Sequence, residues 1–476
     1  MPSDATSLAG PRRDFVEEPY VSLFFLHAGI GQSILMEVPG NGWIVVDANL
    51  VPGPKNNPTV EALERHARLP SFHVKAAVIT HFNLDHYSGI LGVLELCERV
   101  ARIQGRKLRE VCQTLVLPIT YKHFYAFIAA GKERRDKKTK RAGQAHLRAF
   151  LELLPRLKEV GVACIGLEPL QQCWGGPLHT NHPAGDSSDR PAGESWAFTF
   201  HPGAEAVIEE MVLGGSRRDG AELEEAIHDR ENEFAYVLGV GSGKGPGSLH
   251  FLLTSDVPGS TFRELTRSLQ DEIVPEALSS RFGARQGILP LIDEGASSPR
   301  LWPVQGITVP HHGSRADPAR HEELSWWLAS GHGVPGQPAL AVVQGHGQAL
   351  GKNTVSELAQ AQLRIFCTAK PERLLARYRT CKELDAREQR PLRVAPAQAS
   401  PAPQVAVESR QSLWYREIAP EPNVDMPGDP DSQASPAYLE VRGGGRGLHR
   451  VIAKGVYEIV TEPATVLYHD RTQVFP

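Results

Sequence analysis

Metal-ligand side chains are concentrated within six residues of a single predicted strand end. The apolar segment 76–79 predicts a buried strand, and it is followed at once by His81, Asn83, Asp85 and His86. Imidazole nitrogens and carboxylate oxygens are the donors that bind Zn, Mn and Fe in proteins. A single histidine near a strand end is usually a surface or core residue. This compact spacing instead predicts a metal-binding or catalytic turn.

Other apolar segments of the chain also end in polar side chains of the same kinds. The residues at these ends are Asp47, Asp256 and the pair His311 and His312. A further apolar segment, 339–343, ends in a turn that contains glycine and histidine. Strands that converge on one edge of a sheet place such residues on rigid supports. We therefore predict that these side chains form one site.

The elements that must position this site follow a mixed pattern. Apolar runs of strand length alternate with helical patterns, including predicted helices at 88–103 and 145–160, and this indicates an α/β fold. Residues 391–436 are rich in proline, alanine and serine and predict a linker-like segment. Residues 437–476 contain alternating apolar positions and predict a small β appendage.

The bulk composition is typical of a soluble globular protein, with 41% apolar and 22% charged residues among 476. This length predicts two or three domains. A net charge of −4 provides no global basic field that would demand nucleic acid. Six cysteines without a Cys-x-x-Cys pair argue against a disulfide framework or a thiolate zinc site. Without a membrane-length apolar run or a signal-peptide pattern, we expect a cytoplasmic protein with no membrane partner.

The strongest local charge lies at 131–141, where seven of eleven residues are basic. Three interpretations of its core, 132–141, stay open. It is a solvated charge run, a contact for a phosphate backbone, or a protease-sensitive loop.

Five segments resemble, in order, the motifs of the metallo-β-lactamase superfamily, and they are closest to the metallo-hydrolase (nuclease) domain of the ComEC-type competence proteins. The segments are 25–35, 46–48, 81–86, 252–256 and 309–314. The last one reads Val-Pro-His-His-Gly-Ser and matches the family motif outright. Residues 81–86 match His-x-His-x-Asp-His in all but one ligand. The resemblance spans residues 20–370.

This resemblance implies a four-layer αββα sandwich in residues 1–390, with a helical insertion at about 100–230 and a metal cleft at one edge of the two sheets. The superfamily hydrolyses β-lactams, thioesters and phosphodiesters, and this branch is associated with DNA degradation. The implied ion is Zn or Mn, as one or two ions. The implied metal ligands are His81, Asn83, Asp85, His86, Asp256 and His311. The expected catalytic residues are Asp85, His312 and Lys352, and Asp47 is expected to brace the metal loop through hydrogen bonds.

Two departures from the family pattern bear on the site. Asn83 stands where the family has its second histidine, and an amide oxygen is a poorer ligand than imidazole for Zn or Mn. Asn232 stands where other branches place a further histidine, so the first metal position is weakened. Lys352 falls where the branch has Gly-His-Pro. It either holds a phosphate as a point charge or is a surface residue.

We therefore expect a nuclease or phosphodiesterase that uses metal-activated water, with nucleic acid or a nucleotide as its substrate. Three other readings stay open. The chain is a catalytically impaired regulatory or binding protein, a hydrolase of a small nucleotide, thioester or lactone, or an enzyme that is latent until a regulatory protein partner or a protease acts. The sequence does not indicate an oligomeric state.

Overall fold

The computed structural model shows a mixed α/β protein with two mixed β-sheets. The described residues are 20–38, 42–51, 57–118, 152–166, 172–177, 194–200, 232, 235–242, 249–270, 304–313, 318–328, 339–345, 350, 352–368, 413–417, 438–444, 447–454, 456–461 and 473–474. The basic run 132–141 lies outside them.

The strands are numbered in chain order. The first nine are β1 Tyr20–Leu26, β2 Ile34–Val38, β3 Gly42–Val46, β4 Val74–Val78, β5 Cys112–Leu117, β6 Ala163–Gly166, β7 Gln172–Pro177, β8 Glu194–Phe200 and β9 Val237–Ser242. The others are β10 Leu249–Leu253, β11 Gly306–Thr308, β12 Leu340–Val343, β13 Arg364–Cys367, β14 Leu413–Glu417, β15 Tyr438–Gly444, β16 Gly447–Lys454, β17 Tyr457–Thr461 and β18 Gln473–Val474.

Each sheet contains nine of these strands and has a parallel block inside an otherwise antiparallel arrangement. The first sheet has the order β18-β16-β15-β1-β2-β3-β4-β5-β6, and β3 to β6 run parallel. The second has the order β14-β17-β13-β12-β11-β10-β9-β8-β7, and β10 to β13 run parallel. Because parallel strands end at the same edge, each sheet gathers several carboxyl ends in one place.

The helices of the described residues connect or cover these strands. They are α1 Pro58–Glu64, α2 Leu84–Tyr87, α3 Ile90–Gln104, α4 Leu108–Val111, α5 at 152–159, α6 Gly259–Ser268, α7 His321–Leu328 and α8 Lys352–Gln360. A short 3₁₀ turn, Pro310–Gly313, follows β11. The predicted helix at 88–103 is confirmed by α3. For the helix predicted at 145–160, α5 confirms residues 152–159, and residues 145–151 lie outside the described part.

Three apolar cores separate four layers. Between the two sheets, Phe25 from β1 contacts Phe251 from β10, with ring centroids 5.1 Å apart. A second core packs α1, α3, α4 and α5 on the outer face of the first sheet. The third packs α6, α7 and α8 on the outer face of the second sheet. Both faces of each sheet are therefore buried, which explains why the central strands are nearly continuous in apolar residues.

The C-terminal segment does not form the separate β appendage predicted for 437–476. Strand β15 pairs with β1 in the first sheet, and β17 pairs with β13 in the second. That prediction is wrong, because alternating apolar residues identify strands but do not reveal the edge on which they pair. Within the predicted linker 391–436, strand β14 pairs with β17, and the other residues of that segment lie outside the described part.

The described part of 100–230, where a helical insertion was predicted, contains strands of both sheets as well as the helices α4 and α5. Strands β5 and β6 continue the parallel block of the first sheet, and β7 and β8 form one edge of the second. These strands belong to the sandwich itself. Residues 119–151 and 201–231 lie outside the described residues.

None of the helices in the described ranges combines the length and the apolar character that crossing a membrane would require.

Gly306 allows β10 and β11 to approach closely. It lies opposite Phe251, and an added Cβ would overlap the Phe251 ring. We expect Gly306→Ala to lower the free energy of unfolding by about 1–3 kcal/mol because the core must shift. Denaturant unfolding of the full chain measures this. In a Phe251→Leu background the cost should be smaller. An equal cost in both backgrounds would show that the ring is not responsible.

Candidate metal centre

The carboxyl ends of strands from both sheets meet at one edge of the sandwich. Strands β3 and β4 of the first sheet lead to Asp47 and to the turn that carries Asp85 and His86. Strands β10 and β11 of the second sheet lead to Asp256 and His312. The contacts between these side chains confirm the predicted convergence.

Four side chains from this edge offer donor atoms that all lie within 4.8 Å of one another: Asp85, His86, Asp256 and His312. Asp256 is central, since its Oδ1 lies 3.1 Å from Nε2 of His86 and 3.1 Å from Nε2 of His312. The Oδ2 atom of Asp85 lies 3.7 Å from the same atom of His312. Two imidazoles and two carboxylates therefore face a common point.

The donor atoms of this cluster fit a cation. His86 Nε2, Asp256 Oδ1, His312 Nε2 and Asp85 Oδ1 are buried, and none of them makes an aligned hydrogen bond, although both imidazole nitrogens lie within ion-pair distance of Asp256 Oδ1. A buried polar atom without a partner is costly, and four of them facing one point are expected where a cation supplies the missing interaction. The buried donors could therefore hold a metal ion.

A second group of ligand-type side chains, His321, Glu322 and Glu357, contrasts with this cluster. It lies between α7 and α8 and is partly exposed. Nδ1 of His321 already lies 2.8 Å from a Glu357 carboxylate oxygen. Its donors are thus paired with each other, as in an ordinary contact between two helices.

The outward-facing nitrogens of the two clustered histidines are held by fixed partners. His86 Nδ1 lies 2.7 Å from Asp47 Oδ2, and His312 Nδ1 lies 2.8 Å from the Gln344 carbonyl oxygen. These acceptors place hydrogen on Nδ1 and leave the lone pair of Nε2 facing the cluster, which is the tautomer that metal-binding histidines use. The bracing role predicted for Asp47 is confirmed. Asp47 also accepts hydrogen bonds from the backbone and the hydroxyl of Thr80.

The charges of the cluster are strongly interdependent. Burial alone would lower the pKa of His86, but the Asp256 and Asp47 carboxylates outweigh it and raise that pKa well above its ordinary value. Burial would also lower the pKa of His312, but the Asp256 carboxylate outweighs it and raises that pKa to about 9. Burial would raise the pKa of Asp256, yet His312 and His86 hold it well below its usual range. The carboxylates therefore favour positive charge at this point, whether it is carried by protons or by an ion.

Backbone strain is concentrated at the same edge. Five described residues other than glycine have a positive φ: Asp47 (55°), Ser255 (51°), His311 (47°), His312 (53°) and Gln362 (57°). All except Gln362 follow β3, β10 or β11 at the cluster. A residue with a Cβ pays about 1–2 kcal/mol for this conformation. Such strain typically persists where a functional geometry requires it.

Of the two histidines in the 309–314 motif, the one that joins the cluster is not the one predicted as a ligand. His311 was the expected ligand and His312 the expected catalytic cation, but His312 is the residue that joins the cluster. His311 Nε2 instead lies 3.1 Å from the Asn232 amide nitrogen. The left-handed turn at Pro310–Gly313 decides which ring points inward, and residue types alone do not reveal that turn.

Asn83 and Lys352 are the predicted site residues whose roles differ from expectation or stay untested. The Asn83 side-chain oxygen accepts a hydrogen bond from the Leu84 backbone nitrogen at 2.9 Å and caps α2. A metal-ligand role for Asn83 is therefore not supported by its contacts. Lys352 begins α8, but its side chain lies outside the described part, so its phosphate contact stays a prediction.

His81 lies directly beside the cluster. Its ring centroid is 4.1 Å from that of His86, and its Nε2 atom is buried without a hydrogen bond. Burial and the neighbouring His86 lower the pKa of His81 to about 3. His81 thus offers a neutral imidazole next to the four donors, and it is not a member of that group.

Sequence reasoning missed three residues that hold the cluster in place: Thr80, Ser255 and Gln344. Thr80 and Ser255 precede the ligands at the ends of β4 and β10, and their hydroxyl oxygens are 2.6 Å apart. The Gln344 side chain donates to the Ser33 carbonyl at 3.0 Å, while its backbone carbonyl receives His312. The available signal was a polar residue at the end of each buried strand.

No protein-family model matches the chain, and a search of curated proteins finds no match. The chemistry of the site must therefore be inferred from its own residues. Two imidazoles and two carboxylates on rigid strand ends form a donor set suited to a divalent transition metal.

We expect Asp47→Asn to weaken metal binding about 10–100-fold, because an amide has one acceptor oxygen and cannot accept at both positions from His86, the Thr80 hydroxyl and the Thr80 backbone nitrogen. Competition with a chromophoric chelator measures the affinity. Glu440→Gln is the matched control, since Glu440 is a buried carboxylate that pairs with Ser22 and Arg442 instead. Equal losses in both variants would mean that Asp47 has no special role.

Proposed function

We propose that this chain is a metal-dependent hydrolase of the metallo-β-lactamase fold that cleaves phosphodiesters, with a nucleic acid or a nucleotide as its substrate. The observation that carries the proposal is the set of four buried donor atoms that face one point without an aligned hydrogen bond. A purely structural cluster of two carboxylates and two histidines would be expected to satisfy these atoms internally.

The placement of the motif segments supports this family assignment. Segments 46–48, 81–86 and 252–256 reach the same edge as the 3₁₀ turn after β11. The opening segment 25–35 makes hydrogen bonds to residues beside the donors. In it, the Gln32 backbone nitrogen donates to the Asp85 carbonyl at 3.1 Å, and the Ser33 carbonyl accepts from Gln344. Segments distant in sequence thus form one structural unit around the donors.

The donor set favours Zn or Mn. Imidazole suits zinc, whereas carboxylates suit manganese, and this mixed set accommodates either ion. The four clustered donors fit one ion, and the involvement of Asn83 in capping α2 weighs against a strong second position. A bound divalent ion lowers the pKa of its water to near 7 and polarises a phosphoryl oxygen.

The residues of the chain have separate tasks in this proposal. Asp256, His86 and His312 would hold the ion, and the partners of the two Nδ1 atoms keep the imidazole rings in place. Asp85 is the most exposed of the four, with 19% of its side chain accessible, so it is suited to orient the attacking water as well as to bind. Lys352 stays a candidate to offset charge on the phosphate oxygens.

We expect the purified full chain to bind about one equivalent of Zn or Mn and to lose thermal stability when a chelator removes it, because an ion that binds only the folded state stabilises that state. Elemental analysis and thermal unfolding measure the two effects. If the chain binds neither ion at saturating supply, the metal-centre proposal fails.

We expect the metal-loaded chain to hydrolyse bis-p-nitrophenyl phosphate, and Asp85→Asn to reduce kcat about 100-fold or more, since the carboxylate would no longer orient the nucleophile. Glu64→Gln is the control, because Glu64 is exposed and pairs with Arg99. Labelled DNA, RNA and cyclic nucleotides then identify the substrate. Cleavage of the small ester alone would remove the nuclease claim and retain the phosphodiesterase claim.

A regulatory or binding protein is the second candidate. The observation that favours it is Asn83, whose amide caps a helix at a position where a ligand was expected. Metal binding without hydrolysis of any of these phosphodiesters would favour this candidate over the enzyme.

A further inference from the structure

Two hydroxyl groups join the sheets directly behind the cluster. Thr80 follows β4 of the first sheet, and Ser255 follows β10 of the second. Both are buried, and their oxygens lie 2.6 Å apart. Ser255 adopts a left-handed backbone with a φ of 51°, which glycine would adopt without strain. A serine in this conformation is strained, and such strain typically persists where a functional geometry requires it.

The hydrogen positions in this contact follow from the available acceptors. Thr80 Oγ1 donates its one hydrogen to Asp47 Oδ2 at 2.7 Å, since an ionised carboxylate can only accept. The hydrogen between the two hydroxyls must then come from Ser255. Neither hydroxyl has a second hydrogen to give. The chain of donors therefore runs from Ser255 to Thr80 to Asp47.

His81 is the third group that faces these oxygens. Its Nδ1 atom lies 3.3 Å from Thr80 Oγ1 and 3.4 Å from Ser255 Oγ. Both oxygens present only lone pairs to it, because their hydrogens are used elsewhere. A neutral imidazole carries one hydrogen, and an Nδ1 lone pair would face two oxygen lone pairs. The hydrogen of His81 is therefore expected on Nδ1, and Nε2 is left bare.

We propose that Thr80 and Ser255 are positioning residues that fix His81 as the Nδ1–H tautomer and direct its bare Nε2 atom to the metal centre. The proposal rests on the metal centre proposed above for its functional meaning. The same hydroxyl of Thr80 fixes Asp47, which holds His86. One pair of hydroxyls, with one from each sheet, thus sets the orientation of two neighbouring imidazoles.

The two hydroxyls have different roles, which makes the proposal testable. Thr80→Val keeps the side-chain shape but releases the Ser255 hydrogen, which can then be donated to His81 Nδ1. Ser255→Ala removes one acceptor and leaves Thr80 bonded to Asp47, with its oxygen still facing His81. We therefore expect the tautomer to change in the first variant and to be retained in the second.

The experiment uses the full chain with ¹⁵N-labelled histidine, and the His81 ring signals are assigned by their loss in His81→Gln. In the metal-free wild type we expect hydrogen on Nδ1. Thr80→Val should move it wholly or partly to Nε2 and weaken Zn binding about tenfold. Ser255→Ala should keep it on Nδ1. Thr59→Val is the matched control, since Thr59 is a buried threonine whose hydroxyl makes no hydrogen bond.

The proposal is overturned if the wild type carries the hydrogen on Nε2, if Thr80→Val leaves the His81 signals unchanged, or if Thr59→Val alters them as much. The His81 ring signals are measured in the metal-free protein. If the tautomers behave as expected but the wild type binds neither Zn nor Mn, the positioning role stands and the proposed metal function fails.

Discussion

The site depends on the interaction of the Asp256 carboxylate with two histidines. Asp256 lies at the end of a strand in the second sheet, and one of its oxygens is 3.1 Å from His86, which the first sheet carries, and from His312. A buried carboxylate without positive charge nearby is strongly unfavourable. The two sheet edges must therefore stay close enough for both histidines to reach it. This electrostatic requirement couples the packing of the sandwich to the chemistry of its edge.

The apolar core between the sheets makes that coupling rigid. Side chains such as Phe25 and Phe251 contact each other across the sheets, so the strand ends beyond them cannot move independently. The residues that follow these strands adopt strained left-handed conformations, and the surrounding packing holds them there. The donor side chains are consequently preorganised, and little reorganisation would accompany binding of an ion.

Much of the site was predictable because its residues follow strongly apolar strands. Asp85, His86 and Asp256 each come after such a strand and were expected to meet. The choice between His311 and His312 was not predictable, since it depends on a left-handed turn that residue types do not specify. The part played by Asn83 was also hidden, because an asparagine after a strand is equally suited to a ligand or a helix cap.

The sequence by itself determined the α/β pattern, the strand ends and the kinds of donors they carry, because these follow from local periodicity and residue chemistry. Tertiary structure alone decided which strands became neighbours. The C-terminal strands extend both sheets, and β5 to β8 lie within them, because pairing partners are chosen by the packing of distant faces. It also decided which buried atoms remained without hydrogen bonds. That property defines the candidate metal centre, and it exists only once the two sheet edges meet.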